Sequence, residues 1–320
     1  MNTKVVLFFI FTLVSLNTQA LSTINTIAGG GVPDNIPALL SPFDPTDVTV
    51  DSVGNFYISH HSKSLVYKVD TNGKLMVVAG KGTQGFSGDG GAAASARLNQ
   101  PNDVTVDNNG NLYIADTGNQ RIRRVDAATG IITTVAGNGS VGFSGDGGAA
   151  ISAGFSNPYA IAVDNNGNLY IAGLNSQRIR RVDAVTGIIS TVAGNGSVGF
   201  SGDGGAAINA SFSNPTDVSV DSSGNLYIVD HLNFRIRRVD GVTGIITTVA
   251  GNGSVGLSGD GGAATNASLE STESVTVDGN GNLYIAEGSR IRQVAALTGI
   301  ITTVAGIATQ GFSGDGGAAT

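Results

Sequence analysis

Three aspartates, Asp47, Asp103 and Asp217, fall at one equivalent position of a repeating chain, each just ahead of a short Val-x-Val segment. Glu273 stands one residue earlier in the corresponding place of another copy. Carboxylates gathered round a common axis repel one another, and that repulsion invites a divalent cation held by oxygen ligands. The competing reading is local: each carboxylate accepts backbone hydrogen bonds where its strand begins. Asp does this so often that the local reading is the stronger. His61 and His231 share a second equivalent position, which Thr117 and Leu174 occupy in the copies between them. Surface histidines explain that pattern better than a metal pair. These six residues are the candidate ligand contacts, and apart from that cation no cofactor is expected.

The elements that must position them come from a repeat. The run from Arg121 to Ala150 returns from Arg178 to Ala207 with only two changes. Its SGDGG core appears five times, with Asp at positions 89, 146, 203, 260 and 315. A fixed period of this size means one supersecondary unit stacked on copies of itself, since a single unit cannot bury its own faces.

Within one unit, Asp103–Asp107 alternates polar and apolar as a half-buried strand should. Asn108-Asn109-Gly110 makes a turn, and Leu112–Asp116 forms a second strand. Arg121–Val125 and Ile131–Gly137 supply the third and fourth. Tyr57, Tyr113, Tyr170, Tyr227 and Tyr284 are equivalent, and read as core aromatics between units rather than as a ligand cage. Four short antiparallel strands per unit, arrayed about an axis, predict an all-β propeller.

The motifs G-N-L-Y-I-A-D and N-x-R-I-R-x-V, with the interspersed G-F-S-G-D-G-G-A-A, resemble the NHL repeats of bacterial secreted proteins and of teneurins. That resemblance covers nearly all of the chain after residue 20. It implies a propeller that serves as an interaction platform, or less often as an enzyme. His60 and Leu65 depart from the Asp116 and Arg121 types, and Gly173 replaces Asp in the third repeat. The Asp116–Arg121 and Asp230–Arg235 pairs read as struts of their hairpins, and the RIRR segments as solvated strand faces. The aspartate of each SGDGG is expected to cap its own turn.

The connection from Asn138 to Tyr159 is long enough to be functional, and a helical turn is expected near Ala149–Phe155. Its glycines lack the Gly-Lys-Ser/Thr of a phosphate loop. Asp107–Asn111 lacks the glycine placement and distal Glu of a calcium loop.

A net charge of −7 spread over the repeats argues against nucleic-acid and anionic-membrane partners. Lys4, the apolar stretch Val5–Leu16 and the small residues up to Ala20 read as a secretory signal peptide cleaved after Ala20, too short to span a membrane. The propeller is then expected over residues 21–320, secreted or periplasmic and without disulfides, there being no Cys. Asn138-Gly139-Ser140 and its copies at Asn195 and Asn252 are glycosylation sequons only in a eukaryotic setting.

Ile24–Gly29 matches the fourth strand Ile132–Gly137 but has no partner strands before it. The expectation is therefore five full blades plus a partial sixth, a six-bladed type left with a gap. The functional expectation is an exported module binding a protein or carbohydrate ligand, not an enzyme. The alternative is a metal-dependent lactonase- or lyase-like enzyme with a cation in the channel, although the lyase resemblance implies more histidines than His60, His61 and His231 supply.

Overall fold

The computed structural model describes residues 45–307 and 318–320. Twenty strands form five sheets, each of four antiparallel strands in chain order. The first blade is β1 (Asp47–Val50), β2 (Phe56–His60), β3 (Leu65–Val69) and β4 (Leu75–Ala79). The second is β5 (Pro101–Val106), β6 (Leu112–Asp116), β7 (Arg121–Val125) and β8 (Ile132–Ala136). The third is β9 (Pro158–Val163), β10 (Leu169–Gly173), β11 (Arg178–Val182) and β12 (Ile189–Ala193). The fourth is β13 (Pro215–Val220), β14 (Leu226–Asp230), β15 (Arg235–Val239) and β16 (Ile246–Ala250). The fifth is β17 (Thr272–Val277), β18 (Leu283–Glu287), β19 (Arg290–Val294) and β20 (Ile301–Gly306).

The molecule is thus a five-bladed propeller, and the expected six-bladed type with a partial sixth blade is corrected. The reason lies in where the outer strands come from. Every blade, including the first and the fifth, takes its outer strand (β4, β8, β12, β16, β20) from its own repeat. No described blade needs a strand borrowed from elsewhere in the chain. Ile24–Gly29 and the signal-peptide expectation lie outside the described residues.

The turn between first and second strands forms as its residues dictate. In the second blade the Asp107 carboxylate accepts the backbone N–H groups of Asn109 and Asn111 and the Asn111 side-chain amide. The Tyr113 hydroxyl closes the set at 3.3 Å. Tyr113 therefore buries its ring between blades while its polar end finishes a turn, an arrangement repeated at Tyr57, Tyr170 and Tyr227; Tyr284 makes the same hydroxyl bond but its ring is only half-buried.

Between the second and third blades, Tyr113, Ala115, Ile122 and Ala136 meet Ile161, Leu169, Ile171 and Ile189. Ala150, Ala153 and Phe155, from the connection linking the two blades, fill the seam. The same composition recurs between the other successive blades. Small alanines let the connection lie close to both sheets.

That connection has a clear structural purpose. After β4 it runs down the outside of the next blade, where Gly90 N–H donates to Ile132 O and Ile132 N–H to Gly91 O. Ala93 N–H donates to Gly130 O. The SGDGG segment thereby pairs with the start of β8 and covers part of an outer edge that would otherwise be open to another chain. A 3-10 turn then follows, at Ala150–Ser152 in the next copy, within the expected Ala149–Phe155.

The SGDGG aspartate does not cap its own turn. The Asp89 carboxylate accepts Nη2 of Arg123 at 2.6 Å and the Thr134 hydroxyl at 2.7 Å, tying the connection to β7 and β8. Asp146, Asp203 and Asp260 pair in the same way with Arg180, Arg237 and Arg292. The expected hairpin strut is corrected too. Asp116 and Arg121 face each other in register, but the ion pair is Asp116–Arg123 at 3.2 Å. Arg121 instead stacks on Phe86, 3.8 Å from the ring centroid, and donates to Asn119 O and Asn138 O. The RIRR segment is thus a solvated face only in part, since the Arg123 side chain is fully buried.

Candidate functional site

The inner strands β1, β5, β9, β13 and β17 bring their first residues to one end of a central channel, on the face that carries the connections. Around that mouth the equivalent positions hold Thr46, Asn102, Tyr159, Thr216 and Glu273. One residue deeper stand Asp47, Asp103, Ala160, Asp217 and Ser274.

The structure brings the three aspartates together, and each spends its carboxylate on the following blade. Asp47 accepts Val104 N–H at 3.1 Å and Asp103 accepts Ile161 N–H at 2.6 Å. Asp217 accepts Val275 N–H at 2.8 Å and the Ser274 hydroxyl at 2.7 Å. Asp103 and Asp217 also accept the N–H of the residue after them. The sequence suggested strand-starting acceptors; the geometry shows acceptors that bridge blades. Ala160 has no carboxylate, so the third blade makes no such link to the fourth.

These carboxylates are half-buried, where water screens charge less well than at an open surface. Burial, with Asp47 beside it and Asp217 across the channel, pushes Asp103 well above the usual carboxylate range. Burial raises Asp217 to about 6 against its bonds to Val275 and Ser274. Burial raises the Tyr159 hydroxyl, and the charges of Glu273, Asp103 and Asp217 add to that.

His61 and His231 lie apart and do the same job. His61 Nδ1 meets Asn102 Oδ1 at 2.5 Å, and His231 Nδ1 meets Thr272 O at 2.6 Å. Thr117, at the equivalent position, donates to Pro158 O at 2.7 Å. In each case a loop between second and third strands reaches the first residues of the next inner strand. Glu273 is exposed at the rim. Among the described residues no group of three or more His, Asp or Glu side chains is arranged to hold a metal.

What sequence reasoning missed is the hollow beside the histidine. A depression of about 410 Å³ opens at the mouth between the first three blades. His61, Gln100, Asn102, Thr117, Asn157 and Tyr159 are among the side chains that line it. The lining is neutral and rich in donors and acceptors, with one aromatic ring. The available signal was divergence within a repetitive chain. Asn102 and Tyr159 share a position but not a chemistry, and near-identical repeats vary most where they meet the channel.

Residues 48–144, 139–201, 197–258 and 254–314 match the Teneurin NHL domain family. Mouse teneurin-1 is 32% identical over 259 residues, covering 72% of this chain and 9% of that protein. The Arabidopsis thaliana protein SUPPRESSOR OF QUENCHING 1, chloroplastic, is 29% identical over 246 residues, 70% of this chain and 23% of that protein. The chain therefore spans less than a quarter of the length of these relatives. Among solved structures, an auxiliary nutrient binding protein from Bacteroides ovatus superposes with a TM-score of 0.58 at 16% identity, covering 82% of this chain and 58% of that one. A streptogramin B lyase superposes with a TM-score of 0.55 at 18% identity, covering 88% and 72%. At such identities these two report the fold alone. The family match, spread over four overlapping segments that span most of the chain, reports more: this protein belongs to the teneurin-type NHL domains.

Proposed function

We propose that this propeller is an exported, non-enzymatic interaction module that binds a protein or glycan partner on the face bearing the blade connections. The observation that carries the reading is the neutral hollow at the channel mouth. Side-chain amides, hydroxyls and an imidazole converge there beside the Tyr159 ring. Such a lining suits hydroxyl- or amide-rich groups, which hydrogen-bond in several directions and stack an apolar face on an aromatic. The rest of the repeat supplies rigidity, as a binding scaffold requires. The test is to screen the purified chain against a glycan array and a displayed peptide library. Hits are then re-measured on Tyr159→Ala and on Val242→Ala, which alters an almost fully exposed turn on the opposite face. Loss with the first and not the second supports the assignment; the reverse pattern moves the site.

A second reading has one observation in its favour. Asp47, Asp103 and Asp217 share the lumen, and carboxylate oxygens are what hard divalent cations take, although as they stand the three are not arranged as a metal site. A metal-dependent lactonase- or lyase-like activity would follow from such a cation. Every one of these carboxylates already holds an N–H of the neighbouring blade, so the cation would have to share or displace those bonds. Metal analysis of the purified chain decides between the readings, a stoichiometric cation that Asp103→Asn with Asp217→Asn abolishes favouring the enzyme.

A further inference from the structure

Seven Asn-Gly pairs occur in the described residues, and the structure treats them in two ways. At Asn72, Asn109, Asn166 and Asn280, in tight turns, the glycine N–H donates to a backbone carbonyl, as Gly110 does to Asp107 O at 2.9 Å. At Asn138, Asn195 and Asn252, in the blade connections, no hydrogen bond engages the glycine N–H among the described residues. These three share a built surrounding. Arg121 Nη2 donates to Asn138 O at 2.8 Å, Arg178 to Asn195 O at 2.7 Å and Arg235 to Asn252 O at 2.9 Å. Ser140 N–H donates to Asn138 Oδ1 at 2.8 Å, and Ser197 and Ser254 do the same to Asn195 and Asn252 at 2.7 Å. The asparagine Nδ2 is held by Ser152 O, Asn209 O or Asn266 O, and all three asparagines are exposed. The guanidinium lies over the glycine where a β-carbon would be, and a side chain there would have to push it aside.

We propose that Asn138, Asn195 and Asn252 are sites of spontaneous, structure-promoted deamidation. A guanidinium on the Asn138 carbonyl withdraws charge from the Asn138–Gly139 peptide and stabilises its deprotonated nitrogen. That nitrogen, free of any acceptor, adds to the Asn138 Cγ. The Ser140 N–H meets the negative charge that develops on Oδ1, as an oxyanion donor does. The C–Nδ2 bond breaks, ammonia leaves with the proton given up by Gly139, and a cyclic imide remains. Water then opens the ring at either carbonyl, giving aspartate or isoaspartate. Nothing is oxidised or reduced, and the net change is one amide and one water converted to one carboxylate and ammonium. Each event adds one negative charge, so conversion at all three takes the formal net charge from −7 to −10 on the face that carries the connections.

The experiment incubates the folded full chain at mildly alkaline pH and quantifies aspartate and isoaspartate at each Asn-Gly pair by peptide mapping. Asn138, Asn195 and Asn252 should convert at least about tenfold faster than Asn109, Asn166 and Asn280. In denaturant the sites should converge. Arg121→Gln should slow Asn138 alone, with Asn195 and Asn252 in the same molecule reporting that the fold is intact. Equal rates at connection and turn sites in the folded chain overturn the proposal, whether or not the variant folds. Unchanged conversion at Asn138 in a folded Arg121→Gln overturns the role of the guanidinium.

Discussion

Asp89, in the connection that leaves the first blade, lies 2.6 Å from Nη2 of Arg123 in the third strand of the second. The arginine is fully buried; the aspartate is not, its side chain being 37% exposed. This pair is the latch that the repeated SGDGG motif exists to form. It joins a connection to the blade it wraps, while Asp116 meets the same guanidinium from inside.

Removing the two halves of that latch should therefore cost very different amounts. Arg123→Ala strips Asp116 and Asp89 of their cation, and breaking a buried pair in this way costs about 3–5 kcal/mol. Asp89→Asn leaves Arg123 with Asp116 and backbone acceptors and acts at a partly exposed site, so about 1 kcal/mol or less is expected. Urea denaturation of both variants checks this. Equal losses would mean that the latch is not organised around the buried arginine.

Stability should fall as pH rises through the weakly acidic range. Asp103, Asp116 and Asp217 all have folded values above their unfolded ones, the last two at about 6, with burial the leading cause. The folded chain then binds more protons than the unfolded chain from about pH 4 upward, and the slope of stability with pH is negative there. Asp240, lowered to about 2 by Thr243 above all, works the other way below about pH 4. The optimum is expected between about pH 4 and 5. Asp103→Asn and Asp217→Asn should each flatten the fall and raise the melting temperature at pH 8. Thermal scans in which stability rises steadily from pH 5 to 8 would contradict the raised folded values of Asp103, Asp116 and Asp217.

The glycine closing each blade is also specific. A β-carbon on Gly137 (φ +93°) would run into Gln120 O and Arg121 Cα, whereas one on Gly130 (φ +67°) meets nothing. Gly137→Ala should cost at least about 2 kcal/mol, from strain and backbone clash together. Gly130→Ala should cost about 1 kcal/mol, from the left-handed backbone alone. Denaturant midpoints of the two variants give the comparison.

Much of the blade was legible in the sequence because alternation and turn residues act locally. The second and third strands of the repeat, Leu112–Asp116 and Arg121–Val125, lie where the pattern put them. Bonds between repeats were harder to read. Arg123 sits among charged neighbours and reads as solvated, yet it shares a strand face with Val125, and a bulge between Ile122 and Arg123 alters the register there. Its partner Asp89 is 34 residues away, a distance no local rule spans. The blade count went astray for a related reason: an isolated match to a fourth strand at Ile24–Gly29 says nothing of whether other blades need it. For the site, the shared position of Asp47, Asp103 and Asp217 did mark the channel. The hollow beside it is made by residues that differ between repeats, and a repeating pattern hides those.

The most direct measurement is calorimetric titration of the strongest screened glycan or peptide into the wild-type chain, Tyr159→Ala, Asn102→Ala and Val242→Ala. Binding at the channel mouth predicts an affinity loss of about tenfold or more for the first two, each removing roughly 1.4 kcal/mol or more of contact, and none for the third. Undiminished affinity in Tyr159→Ala and Asn102→Ala, with loss in Val242→Ala, would place recognition on the opposite face and end the case for the mouth.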